Sequence, residues 1–506
     1  MSGQTNDSIG KVYLVGAGPG DPNMLTLRGK ECLERADIVL HDYLANPVLL
    51  NHAKKADCIC LGKHGTGRLI SQEEINRQIV EFAKSGKSVV RLKGGDPAIF
   101  ARSHEELQAI IQHQIPFEIV PGITAALAVT SSVGVPLTHR DVSSAVALVT
   151  GQGKEGGPPE NIDYRSLAKF PGTLVFYMGT TTVSFWSQEL INAGMNPQTP
   201  VVAVRHCSLP TQSSFQCFLS NIADRSNQEP TLRPPVLFIV GQTAEQFGKH
   251  NWFESRPLFG RSILITRPRH QADELACRFQ DLGAEVLFQP AIQINGHPQQ
   301  DEILRAIGKL PGYDWVIFSS TNGVDYFMQE LMAAGDLRAL SNCKIAAVGL
   351  TTANRLLNYH LKADLVPATF DAESLATELN FQVTGRNVLL VRGNRGRDIL
   401  NTSLSKTANS VDQLICYQSI DVQQADQQIK QRLSNHQIDY VTVTSSAIAN
   451  SLVNLLGDQL HKTKLVSISP ITSETLRESG FEPAVEAKVY TMEGVVDAVL
   501  ESTSCR

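Results

Sequence analysis

Lys11-Val-Tyr-Leu-Val15 runs straight into Gly16-Ala-Gly18-Pro19-Gly20-Asp21. The first five residues read as a buried strand, and the glycines that follow let the backbone turn tightly and approach a ligand with no Cβ in the way. A helical pattern comes next. This turn differs from the dinucleotide fingerprint, because its third glycine comes one residue early and Pro19 stiffens the loop. Taken alone, a tight strand-to-helix turn without any ligand is an equally good reading.

The pattern that starts here repeats outward. Asp37–Leu40, Ser88–Leu92, Phe117–Val120, Ala145–Thr150, Thr173–Met178, Val201–Arg205 and Val236–Val240 are further short apolar or β-branched runs. Between them lie stretches such as Gln72–Ser85, whose apolar residues recur at three- and four-residue spacing. Strands alternating with helices predict parallel-rich sheets covered by helices, an α/β fold. Three more strand ends carry glycine, proline and fixed polar residues: Arg91-Leu-Lys93-Gly94-Gly95-Asp96-Pro97, Pro121-Gly122-Ile123-Thr124-Ala125, and Pro136-Leu-Thr138-His139-Arg140-Asp141. Together the four loops predict a small-molecule site above the carboxyl edge of a sheet. Gly62–Gly67 lacks P-loop spacing. His139-Arg140-Asp141 spells a kinase triplet without the asparagine or glycine loop that a kinase needs.

The 506 residues predict about three or four compact units. With 42% hydrophobic and 19% charged residues, disorder and a collagen-like fold are excluded. A net charge of -5 argues against a nucleic-acid partner. No apolar run approaches the roughly 20 residues that span a bilayer, and Met1–Gly10 lacks the pattern of a signal peptide, so a cytoplasmic location without membrane attachment is expected. The nine cysteines form no C-x-x-C pair, so reduced thiols and no metal are expected, with Cys58 and Cys60 as small core residues on one strand face. Gly151–Pro159 reads as a surface loop. Residues 248–260 read as an inter-domain linker in which Trp252 and Phe253 pack against one domain.

VGAGPGD, RLKGGDP and PLTHRD, in this order and spacing, resemble the uroporphyrinogen-III C-methyltransferases of the tetrapyrrole methylase family, from Lys11 to Gly241. The resemblance implies two α/β subdomains, about 10–138 and 139–247 of a unit spanning 10–247, with S-adenosylmethionine bound between them. It implies methylation of uroporphyrinogen III at C2 and C7 to precorrin-2, toward sirohaem or cobalamin, and a homodimer through this half is expected. The family's cofactor contacts fall on Pro19, Gly94, Gly95, Asp96, Ile99, Thr124, Ala125 and Met178. Its proton acceptor and donor fall on Asp42 and Lys63, and substrate roles on Arg28, Arg91 and Arg140. The chain departs from the family at Arg205-His206-Cys207-Ser208, where Glu-Asn-Gly-Thr is common, leaving Cys207 to make a backbone contact. Local readings stand beside these: Asp42 as a strand-end cap, Lys63 as a solvated cation.

The second half repeats itself. Asp314-Trp-Val-Ile-Phe-Ser-Ser320 returns about 120 residues later as Asp439-Tyr-Val-Thr-Val-Thr-Ser445, Ala347-Val-Gly-Leu as Ile468-Ser-Pro-Ile, and Ala372-Glu-Ser-Leu as Met492-Glu-Gly-Val. That period suits two similar α/β domains facing across a cleft. Ile263-Leu-Ile-Thr-Arg267-Pro-Arg269 and Val388-Leu-Leu-Val-Arg392-Gly-Asn-Arg395-Gly-Arg397 each read as a strand ending in a basic loop, suited to a polyanion or simply solvated. Ser320 and Ser445 offer hydroxyls at matching strand ends, as substrate ligands, helix caps or both.

This half resembles uroporphyrinogen-III synthase. The resemblance implies residues 261–292 with 419–506 as one domain and 293–418 as the other. It implies closure of hydroxymethylbilane with inversion of the last ring, with Arg267, Arg392, Ser320 and Ser445 holding the tetrapyrrole and Tyr417 near the leaving hydroxyl. An alternative keeps the methyltransferase, on another tetrapyrrole, beside a non-catalytic tetrapyrrole-binding module.

Overall fold

The computed structural model describes residues 9–62, 70–228, 232–297, 299–369, 372–395 and 398–504. The chain divides into two compact units, residues 1–261 with 282–285, and residues 262–281 with 286–506.

In the first unit, β1 (Val12–Gly16), β2 (Ile38–His41), β3 (Asp57–Cys60), β4 (Val89–Lys93) and β5 (Phe117–Val120) form an all-parallel sheet in the order β3-β2-β4-β1-β5. Alternate residues feed two cores. Val12, Leu14, Ile38, Leu40 and Val89 meet Ile79 and Ile110 on one face, while Val15, Val39, Val90 and Leu92 meet Leu33 and Leu49 on the other. Burial on both faces is why the central strands β1, β2 and β4 read as continuous apolar runs, whereas β5, expected to be buried, lies at the sheet edge and leaves Phe117 and Ile119 exposed. The cysteines at 58 and 60 correct the sequence reading: β3 is a strand, but it lies at the sheet edge and both thiols are exposed.

β6 (Val146–Thr150), β7 (Thr173–Tyr177), β8 (Pro200–Arg205), β9 (Ser213–Phe218) and β10 (Val236–Val240) form the second sheet, in the order β6-β7-β10-β8-β9. Only β6 and β7 pair in parallel; β10 runs antiparallel to both its neighbours, and β9 to β8. Trp186 anchors its core, stacked on Phe176 at 4.4 Å and donating its Nε1 proton to the Gly179 carbonyl at 2.9 Å. The helix Ala125–Val133 leaves the first sheet and packs on Val175, Val202 and Ile239 of the second, so both sheets border one cleft. Phe253 is buried, and Trp252 donates to the Ser131 carbonyl at 2.7 Å.

The second unit also has two sheets. β11 (Ser262–Ile265), β12 (Glu285–Phe288), β18 (Tyr440–Val443), β19 (Lys464–Ser467) and β20 (Val485–Glu486) assemble as β12-β11-β18-β19-β20. β13 (Ile292–Gly296), β14 (Trp315–Phe318), β15 (Lys344–Ala347), β16 (Asn387–Gly393) and β17 (Ser410–Asp421) assemble as β13-β17-β16-β14-β15. The long β17 is shared. Its first half pairs parallel to β16, and its second half antiparallel to β13, the strand that follows the first sheet of this unit.

The sequence repeat is a repeat in space. Asp314 and Asp439 each accept a backbone proton from the neighbouring strand, from Asn387 N and Ser262 N, both at 2.9 Å. Ser320 and Ser445 each cap the next helix, accepting from Gly323 N at 3.1 Å and Ile448 N at 3.2 Å. An aspartate that fixes register, then an apolar strand, then a serine cap makes one strand-to-helix unit, used twice.

Candidate functional sites

At the carboxyl edge of the first sheet, glycines let three backbones meet. A Cβ on Gly122 would lie 2.2 Å from the Gly95 carbonyl oxygen, and one on Gly16 would lie 2.5 Å from Gly122 Cα. Gly18 and Gly95 exchange backbone hydrogen bonds of 3.2 and 2.8 Å, tying the two glycine turns together. The Asp96 carboxylate accepts from Ala98 N at 2.7 Å and Gly122 N at 2.9 Å, so its side chain braces the loops. Gly122→Ala should therefore destabilise this unit by about 1–3 kcal/mol, because backbone rather than a movable side chain must yield. Thermal unfolding with and without S-adenosylmethionine checks this, and a wild-type midpoint would contradict it.

The other wall of the cleft comes from the second sheet. Tyr177 Oη lies 2.7 Å from Thr124 Oγ1 and accepts from Ala126 N at 3.0 Å, so β7 fixes the start of the helix that carries Thr124 and Ala125. Burial raises the Tyr177 hydroxyl above its ordinary range, keeping it a neutral hydrogen-bonding group. Beside it, Met178 has a positive φ of 54° and is 45% exposed, an unfavourable backbone shape for a residue with a side chain. Leu44, packed over Gly94, and Phe100, 5.1 Å from the Tyr177 ring, add exposed apolar surface. Cys207 is buried between His206 and Ser208, which both have positive φ, and Ser208 Oγ accepts from Asp21 N at 3.1 Å. Pro19 and Ile99 are half-buried near these loops. A glycine-lined cradle with an apolar rim fits a small ligand with a flat apolar group, such as the base of a nucleoside.

Asp42 follows β2 at this same edge. Its Oδ1 accepts from Arg91 Nη2 at 2.5 Å, and its Oδ2 lies 3.4 Å from Gly94 N. Arg91, expected to hold substrate, has a buried guanidinium that also donates to Glu106 Oε1 at 2.9 Å. Glu106 has no exposed surface and takes a second cation, Lys93 Nζ, at 2.6 Å. Burial and the nearby Arg91 charge lower the Lys93 ammonium below its ordinary range. Arg28 is likewise engaged, with Glu118 at 2.8 Å and Glu31 at 2.9 Å. Arg140 is exposed with no ion-pair partner among the described residues. Lys63 lies outside the described residues.

In the second unit Arg267 stands out. It is half-buried, its Nη2 donates to Gln271 Oε1 at 3.3 Å, Nη1 lies 2.8 Å from the Met492 sulfur, and Nε has no partner. No carboxylate pairs with it among the described residues, and burial lowers the guanidinium below its ordinary range. Gln271 Nε2 in turn donates at 2.7 Å to Asn322 Oδ1, next to the Ser320 cap. The sequence-predicted Ser320 and Tyr417 meet directly, Oγ to Oη at 2.9 Å, and Tyr417 stacks on Tyr326 at 6.0 Å. Tyr417 lies at a register shift opposite Gly393, whose missing Cβ leaves room for the ring: a Cβ there would fall 2.5 Å from Tyr417 Cζ. Ser445 is used as a cap.

The second basic loop is engaged within the chain. Arg392 Nη1 donates to Asp398 and Gln413, both at 2.9 Å, and Arg395 Nη1 donates to Asp421 at 2.7 Å. Asn394 Oδ1 accepts from Ser419 N at 2.7 Å. The loop thus clasps the second half of β17, while Gly396 and Arg397 lie outside the described residues. Arginine-rich spacing cannot distinguish a cation waiting for a ligand from one already paired within the chain.

Sequence reasoning missed Tyr177, Lys93, Glu106 and Gln271. A signal existed for Glu106, which falls four residues before the buried Ile110 on the inward face of the helix Ser103–Gln112. Among the described residues no group of three or more His, Cys, Asp or Glu could hold a metal ion, and no helix is long and apolar enough to cross a membrane.

Comparison with known proteins agrees with this division. Residues 11–223 match the family model described as Tetrapyrrole (Corrin/Porphyrin) Methylases, and residues 273–497 that of Uroporphyrinogen-III synthase HemD. The porphyrin biosynthesis protein HemD of Ruminiclostridium josui is 33% identical over 497 residues, covering 97% of this chain and 98% of its own. The uroporphyrinogen-III C-methyltransferase of Bacillus subtilis strain 168 is 40% identical over 335 residues, covering 66% of this chain and 68% of its own. Among solved structures, the uroporphyrin-III C-methyl transferase of Thermus thermophilus complexed with S-adenyl homocysteine is 39% identical, covering 47% of this chain and 100% of its own with a TM-score of 0.41. The chain therefore belongs to the porphyrin-biosynthesis family that joins a tetrapyrrole methylase to a uroporphyrinogen-III synthase, and it is a bifunctional enzyme of tetrapyrrole biosynthesis.

Proposed function

We propose that the second unit closes hydroxymethylbilane to uroporphyrinogen III with inversion of the last ring, and that the first unit methylates this product at C2 and C7 to precorrin-2. The observation that carries the methyltransferase assignment is Asp42, 34% exposed at the edge of the glycine-lined cradle and fixed there by Arg91. When bound, S-adenosylmethionine supplies an electrophilic methyl group. The chain's own residues then hold an electron-rich ring carbon in line with it and exclude water, so positioning provides most of the acceleration. Asp42 takes the proton that the attacked pyrrole gives up, and the exposed Arg140 faces outward where a propionate or acetate side chain can reach it. Lys63 is assigned the proton-donor role by family resemblance alone.

In the second unit an eight-carboxylate substrate matches the Arg267 guanidinium, whose Nε has no partner and which forms no ion pair among the described residues. The leaving hydroxide is assigned to the neighbourhood of Tyr417 and Ser320, whose paired hydroxyls can pass a proton between them. Reactivity lies largely in the substrate, so holding its conformation matters more than strong acid or base catalysis. A cytoplasmic homodimer formed through the first unit completes the reading.

Purified full-length protein given hydroxymethylbilane alone should yield uroporphyrinogen III. Addition of S-adenosylmethionine should then yield precorrin-2 and S-adenosylhomocysteine. Type I product without donor would reject the synthase assignment, and unmethylated type III product with donor would reject the methyltransferase.

A further inference from the structure

A buried charge quartet lies behind Asp42. Arg91 and Lys93 are two apart on β4 and so share one face of the sheet. The helix Ser103–Gln112 covers that face and presents Glu106 to both: Arg91 Nε donates to Oε1 at 2.9 Å, and Lys93 Nζ to Oε2 at 2.6 Å. A different nitrogen of the same guanidinium, Nη2, reaches Asp42 at 2.5 Å. Lys93 is 2% exposed and Glu106 0%, whereas the Asp42 side chain is 34% exposed. Two cations and two anions balance, and Asp42 is the one member that opens on the cleft.

Such a quartet is a poor way to gain stability. Taking charges out of water costs several kcal/mol per ion, and well-packed apolar replacements of buried ion pairs are often as stable or more so. Geometry is what it does supply. A guanidinium is a planar fork, so anchoring its Nε fixes the direction in which Nη2 points. Lys93 leads directly into Gly94 and Gly95, and its carbonyl accepts from Ala17 N at 2.7 Å, so the same carboxylate also steadies the strand end beneath the cradle.

We propose that Glu106 is a positioning residue for methyl transfer, orienting Asp42 through Arg91 and registering it against the Gly94–Gly95 turn through Lys93. This rests on the base assignment of Asp42. Glu106 touches neither substrate nor cofactor; it acts by holding the residues that do.

The test is a double-mutant cycle in the full-length protein, following S-adenosylhomocysteine formation with uroporphyrinogen III for Glu106→Gln, Asp42→Asn and the pair. Glu106→Gln should lower kcat on the order of 10- to 100-fold, the range expected when a reacting group is misplaced by about an ångström. KM for S-adenosylmethionine should change far less than kcat, because the Gly94–Gly95 turn keeps its own backbone hydrogen bonds to Gly18. Because Glu106 acts through Asp42, the double variant should be no slower than Asp42→Asn alone. Glu106→Asp, which keeps the charge one methylene back, should recover part of the rate, and it replaces Glu106→Gln in the cycle if the latter does not fold. Fully multiplicative losses, or a wild-type kcat in Glu106→Gln beside a slow Asp42→Asn, overturn this inference and leave the base assignment standing. A wild-type kcat in Asp42→Asn removes the base assignment and this inference with it.

Discussion

Asp42→Ala should reduce methyl transfer by about 10²- to 10⁴-fold, the usual contribution of a positioned general base, while ring closure by the second unit continues at its normal rate. The two units have separate cores and separate site residues, so loss of one activity should not carry the other with it. Removing the carboxylate leaves Arg91 buried but still held by Glu106 at 2.9 Å, so the fold should survive with a modest loss of stability. The decisive measurement follows both products from hydroxymethylbilane in one reaction with the methyl donor present. Uroporphyrinogen III should accumulate while precorrin-2 disappears. Methylation at the wild-type rate would remove Asp42 from the mechanism.

Arg267→Met should separate activity from stability in the second unit. Its guanidinium is half-buried with an unpaired Nε and no ion pair among the described residues, so its desolvation is offset only in part, by Gln271, the Met492 sulfur and the more distant charge of Glu274. Replacing it with an apolar side chain of similar length should leave the thermal midpoint unchanged or higher. The same change removes a charge-assisted hydrogen bond to a substrate carboxylate, worth about 1.5–3 kcal/mol, so kcat/KM for ring closure should fall about 10- to 150-fold. A lower midpoint with normal ring closure would show that Arg267 is structural, acting through Gln271 and Met492.

The sequence by itself determined the α/β class, because strands buried on both faces leave uninterrupted apolar runs and glycine turns leave gaps that no other residue fills. The internal repeat was legible too, because Ser320 and Ser445 cap helices through contacts three residues away, although the register contacts of Asp314 and Asp439 reach 73 and 177 residues along the chain. Where each charge is directed depends on the folded arrangement of the chain. Arg91, Arg28, Arg392 and Arg267 look alike as arginines near strand or helix ends, yet Arg91 and Arg28 meet carboxylates contributed by other segments, Arg392 meets Asp398 in its own loop, and Arg267 forms no ion pair among the described residues. Cys58 and Cys60 sit on a strand, as their spacing suggested, but exposure depends on which strand ends the sheet. Tyr177 and Glu106 carry no motif, and their roles arise from a helix or strand brought in from elsewhere in the chain. Local pattern reports backbone geometry and burial, both set by near neighbours. Pairing of charges is set by distance in space, and a single sequence does not contain that distance.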